Sequence, residues 1–150
     1  MINKTNVAII DADLIGRKKH RFPNLACEKI AAYYKSQSVG VVLKTDYENL
    51  RDYRKIFVSR VFTDTWMPST IDDFPLCKDI IVYGGTGFYF DKASPLPDEI
   101  EHIMPDYSLY DSWIESKLGD DRSSKSQFKN YTDYSIGFLT RGCLENVAFV

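Results

Sequence analysis

The chain is poor in the residues that staple, span or steer. It has three cysteines in 150 residues, Cys27, Cys77 and Cys143. An odd, scattered set argues against a disulfide framework and for reduced thiols. No apolar run is long enough for a membrane-crossing helix. Neither sign of charge dominates: 19 Lys and Arg face 21 Asp and Glu, a formal charge of −2. No global field therefore draws the chain toward nucleic acid or an anionic bilayer. The opening MINKTNVAII meets Asp11 too soon for a secretory signal, and a cytoplasmic address is expected by default. The two histidines, His20 and His102, have no metal-ligand spacing to each other or to the cysteines. GGTGFYFD lacks the Lys-Ser/Thr ending of a P-loop, and Gly84, Gly85 and Gly87 do not make GxGxxG.

What is present is an ordinary globular composition, 44% hydrophobic and 27% charged, which excludes wholesale disorder. Ten Tyr and nine Phe are dispersed along the chain. Dispersal suits a core and its rim better than a base-stacking surface.

Four apolar, β-branched runs read as strands: Thr5–Asp11, Val39–Lys44, Lys55–Phe62 and Lys78–Gly85. Between the first two, Ala12–Phe22 is polar, and Pro23 opens a helical pattern through NLACEKIAAYYKSQS. The segments 46–54 and 68–74 suit short helical turns. Asp106 is placed to cap a helix carrying Tyr107, Tyr110, Trp113, Ile114 and Leu118. Strands joined by helical or irregular crossovers predict an α/β fold with an open, doubly wound, mostly parallel sheet of the flavodoxin-like type. The expected domain is 1–118, followed by a polar linker 119–132 and a last strand opening into a loop, 133–150.

Open parallel sheets bind ligands at the carboxyl ends of their strands. Three segments fall there: Asp11-Ala12-Asp13-Leu14-Ile15-Gly16, Ser59-Arg60-Val61 and Gly84-Gly85. Glycines let backbone approach a ligand closely, and a serine hydroxyl can bond a nucleotide tail. Asp11 is equally placed to cap a helix or turn, and Gly84-Gly85 to form a tight turn. The basic run Arg17–Arg21 suits either a solvated loop or phosphate contacts. At the mouth of the sheet its side chains would also fill space that a cofactor needs.

Asp11 with Gly16, then Ser59 with Val61, then Gly84-Gly85 resembles cobalamin-binding domains, in which an aspartate, a histidine and a glycine precede a Ser-x-Leu strand and a Gly-Gly turn. The spacing between the three parts is similar too. Asp13 stands where that family has its cobalt-ligating histidine. A carboxylate is a harder donor than imidazole, so lower-face cobalt ligation is not expected. The resemblance implies Asp11, Asp13, Gly16, Ser59, Gly84 and Gly85 as the cofactor-facing residues, with cobalamin as the cofactor if one is held.

Ser135–Val150, SIGFLTRGCLENVAFV, resembles the opening strand and cluster loop of radical S-adenosylmethionine enzymes, which carry Cys-x3-Cys-x2-Cys. Cys143 takes the first position, and Val147 and Val150 the other two. Valine has no donor atom, and one thiolate does not hold a cluster that several normally support. Arg21–Lys35 and Tyr83–Asp111 are also similar to segments of the N-terminal domains of such proteins. The resemblance implies a front domain that stops at a degenerate cluster loop: a binding or interaction domain, not catalytic alone and without an iron–sulfur cluster. Its expected partner surface is the apolar segment around Phe138, Leu139 and Phe149, with Phe88–Phe90. That surface would take a protein partner or a second copy. The other readings are a corrinoid- or nucleotide-binding accessory to a separate radical enzyme, and a repurposed binding protein. The last would act as an inhibitor of a larger complex or touch nucleic acid through 17–21.

Overall fold

The computed structural model describes residues 6–20, 22–68, 78–89, 92–119 and 123–135. Strand β1 (Val7–Asp11) leads into a short helix α1 (Ala12–Gly16). Helix α2 (Leu25–Ser36) returns to β2 (Val41–Lys44), and a 3-10 turn at Leu50–Asp52 precedes β3 (Lys55–Ser59). Then come β4 (Ile81–Gly84), α3 (Thr86–Tyr89), α4 (Asp98–Glu101) and α5 (Asp111–Leu118). A 3-10 segment, Ser123–Phe128, runs into α6 (Lys129–Thr132).

The four strands form one all-parallel sheet in the order β2-β1-β3-β4. The chain moves outward from β1 to β2, then crosses back to β3 and continues to β4. The direction of winding therefore reverses between β1 and β3, the place where open α/β sheets leave a crevice.

All five residues of β1 are buried, as a strand covered on both faces requires. Ile9 packs toward α2, α5 and α6 with Cys27, Ile30, Ile114 and Tyr131. Ala8 and Ile10 point the other way, with Leu50, Ile56 and Val58. The period of two thus splits one strand between two cores. The edge strands are half covered: Val42 on β2 and Val82 on β4 are exposed. Asn24 caps α2, its side-chain oxygen accepting from the Cys27 amide at 3.1 Å.

Several expected boundaries move, each for a local reason. Ala12–Gly16 is helical because the Asp11 carboxylate caps it, accepting from the Asp13 and Leu14 amides at 3.2 and 3.3 Å. β3 ends at Ser59 rather than Phe62, since Val61 and Phe62 turn their amides onto Asp13. Asp106 does not cap α5. It closes a tight turn by accepting from the Ser108 amide at 3.1 Å, and the helix starts at Asp111. Within the expected linker, Ser123–Phe128 forms 3-10 turns. The expected turns at 68–74 lie almost wholly outside the described residues; of the expected strand and loop at 133–150, Asp133 instead ends α6, and 136–150 lie outside the described residues.

Candidate functional site

Parallel register places Asp11 beside Ser59, and Ser59 beside Gly84. The three segments singled out in the sequence therefore form one row along the carboxyl edge of the sheet. Gly85 follows with φ +102°, a backbone state that favours glycine. A Cβ there would lie 2.2 Å from the Arg60 carbonyl oxygen, while one on Gly84 meets nothing within 4 Å among the described residues. Cys143, Val147 and Val150 lie outside the described residues.

The row's polar groups bond chiefly to the chain itself. Asp11 is fully buried. Besides capping α1, its Oδ2 accepts from the Tyr110 hydroxyl at 2.6 Å and lies 2.9 Å from His20 Nε2. The other ring nitrogen of His20, Nδ1, meets the Tyr131 hydroxyl. The Tyr110 oxygen accepts from the Asn24 amide at 2.9 Å, and the Asn24 side-chain amide donates to Ser59 Oγ at 2.9 Å. A continuous polar chain thus runs from Ser59 through Asn24, Tyr110, Asp11 and His20 to Tyr131. Burial, and then the Asp11 carboxylate, push the phenols of Tyr110 and Tyr131 above their ordinary range, so both stay neutral. Burial likewise raises the Cys27 thiol, which makes it an inert core sulfur.

Asp13, two residues on, serves a different segment. Its Oδ2 accepts from the Val61 amide at 2.7 Å, and its Oδ1 from the Phe62 amide at 3.4 Å and the Thr65 hydroxyl at 2.5 Å. The Arg60 guanidinium holds the same loop, donating to the carbonyls of Thr63 and Thr65 at 2.5 and 2.7 Å. Gly16 sits under that loop. A Cβ on it would fall 2.6 Å from the Trp66 carbonyl oxygen.

The basic run divides. Arg17 pairs with Asp64 at 2.9 Å and lies over the Phe62 ring. His20 is turned inward, Arg21 lies outside the described residues, and Lys18 and Lys19 stay exposed. Lys18 and Lys19 line a groove of about 510 Å³ with His20, Trp113, Lys117 and Phe128. The tie of His20 to Asp11, Tyr110 and Tyr131 was not legible in the sequence. The tyrosines lie 99 and 111 positions from their partners, beyond any local pattern.

Among the described residues, no group of three or more His, Cys, Asp or Glu is placed to hold a metal ion. No helix among them is long and apolar enough to cross a membrane. The chain matches no family model, no curated protein and no solved structure.

Proposed function

We propose that this chain is a non-catalytic binding domain of the flavodoxin-like, cobalamin-binding-like type, akin to the N-terminal domain of radical S-adenosylmethionine proteins. The strand order and the winding reversal between β1 and β3 support the fold part of this reading. So does the alignment of Asp11, Ser59 and Gly84 along one edge.

One observation carries the non-catalytic part. Asp13 spends both carboxylate oxygens on the 61–65 loop. Its neighbours are engaged too: Ser59 accepts from Asn24, and the space beside Gly16 is filled by Thr65 and Trp66. These residues, as they are folded, do not fit the lower face of a corrinoid. A general acid, base or metal ligand needs a lone pair or proton free for the substrate, and on this edge the carboxylates are committed to structure.

The test is anaerobic reconstitution with iron and sulfide, followed by S-adenosylmethionine. The expected result is no cluster absorbance and no cleavage of S-adenosylmethionine. A cluster that cleaves it overturns the reading. Mixing with hydroxocobalamin and gel filtration should return colourless protein, and retained colour would restore the corrinoid reading.

A further inference from the structure

We propose that the groove between the Lys18–His20 loop and α5 binds a nucleoside polyphosphate. This goes beyond the non-catalytic reading and uses a different place from the strand row.

The groove combines the two chemistries such a ligand presents. Lys18 and Lys19 come from the loop after α1. Lys117 comes from α5, four residues from Trp113 and so on the same helix face. All three lysines are exposed, and among the described residues none is ion-paired. By contrast, Lys29, Lys35 and Lys44 each sit on a carboxylate within 3.2 Å. Among the described residues, no acidic side chain lines the groove. Three cations facing one cleft repel each other, and a polyanion relieves that repulsion.

The apolar part is Trp113 and Phe128, both half-buried, with ring centroids 5.6 Å apart and nearly perpendicular. They give a planar base a ring surface to lie against. The His20 ring completes the lining. It is fixed at both nitrogens by Asp11 and Tyr131, so little ordering is left to be done on binding. A volume of about 510 Å³ lies within the range of small-ligand pockets. With a net charge of −2 for the whole chain, a compact polyanion suits this local patch better than a long nucleic acid does.

Trp66→Phe leaves Trp113 as the sole tryptophan reporter, since the chain has two. Trp66 is 58% exposed and outside the groove, so the change is mild. Titration with ATP should change Trp113 fluorescence saturably. AMP should bind more weakly and adenosine not at all, and binding should fall as salt rises. Lys18→Ala combined with Lys19→Ala, and separately Lys117→Ala, should each weaken ATP binding about tenfold or more. These positions are exposed, and circular dichroism should show unchanged folding.

The proposal is overturned if calorimetry and fluorescence both show no saturable ATP binding. It is also overturned if inorganic tripolyphosphate binds as tightly as ATP, if the lysine variants bind as the parent does, or if only an oligothymidylate binds. Cluster formation with cleavage of S-adenosylmethionine would sink the non-catalytic reading and leave the groove standing. A failed titration would sink the groove alone.

Discussion

Asp11 and Asp13 are two residues apart, both are buried, and they do different work. Asp11 faces inward. It gathers side chains from distant segments, His20 and Tyr110, and through them joins β1 to the aromatic core beside α5. Asp13 faces the sheet edge and gathers the Val61 and Phe62 amides with the Thr65 hydroxyl. One carboxylate is a hub of the interior, and the other is a clasp on a loop whose Val61, Phe62 and Trp66 are exposed. Both turn an edge that α/β folds often leave open to ligands into part of the protein's own architecture.

The comparison breaks most visibly at Asp11. Asp11→Ala leaves the α1 amides uncapped and His20 and Tyr110 without their common acceptor in a water-excluded place. Each buried donor left without its acceptor costs about 1–3 kcal/mol, and several are lost together, a large share of a typical domain's stability. Thermal unfolding should report a global loss. A melting temperature within a degree or two of the parent would mean that Asp11 is not the hub described.

A third buried acid sharpens the contrast because it has no donors. Glu28 on α2 is 1% exposed, and neither carboxylate oxygen has a hydrogen-bond partner among the described residues. Burial, helped by the neighbouring Asp106 carboxylate, raises its pKa from 4.5 to about 7. In the unfolded chain Glu28 ionises near its ordinary value, while in the fold it keeps its proton to about neutrality. Between those values the folded state binds more protons, so stability falls as pH rises through this window. Glu28→Gln removes that loss. The variant should match the parent near pH 4 and exceed it by roughly 2–3 kcal/mol at pH 8. Denaturant melts at the two pH values check it. An equal difference at both would show that the carboxyl does not titrate in the fold as described.

Asp13→Ala should cost less, about 1–3 kcal/mol, because water reaches the loop amides it releases. The damage should also be local. Hydrogen exchange should quicken at Val61 and Phe62 while the amides of β1 keep their protection. Uniform loss of protection would erase the distinction between clasp and hub.

How much of this was legible follows from the range of each interaction. The four strands announce themselves by apolar β-branched runs, and parallel strands bring their carboxyl ends to one edge, so the row Asp11, Ser59 and Gly84 could be anticipated, though not the strand order. Asp11 as a cap was readable from its place after a strand. The early end of β3 was not, because VSRVF continues the β pattern and only the pull of Asp13 on two amides ends the strand. Nor was the true start of α5, since the side chain of Asp106 serves equally well in a turn and at a helix cap. The aromatic cluster around His20 was hidden because its members come from separate segments. Tyrosine in a pattern says only that a ring is half-buried, not which acceptor its hydroxyl will find.

The smallest expected effect tests whether that cluster links the sheet to the groove. Tyr131→Phe removes only the hydroxyl that meets His20 Nδ1 and leaves Asp11 on Nε2. No charge is orphaned, so the cost should be about 1 kcal/mol. It should appear as a shifted denaturant midpoint with unchanged slope. The informative quantity is its coupling to Asp11→Asn, since the two changes act on opposite nitrogens of one ring. Groups that share a partner in this way couple by about 0.5 kcal/mol or more, while independent sites add within about 0.3–0.5 kcal/mol. A clear coupling energy means His20 carries strain between the end of β1 and α6, and the groove it lines is held by the sheet. Strict additivity means each bond stands alone, and the floor of the groove is then free to shift without the sheet edge responding.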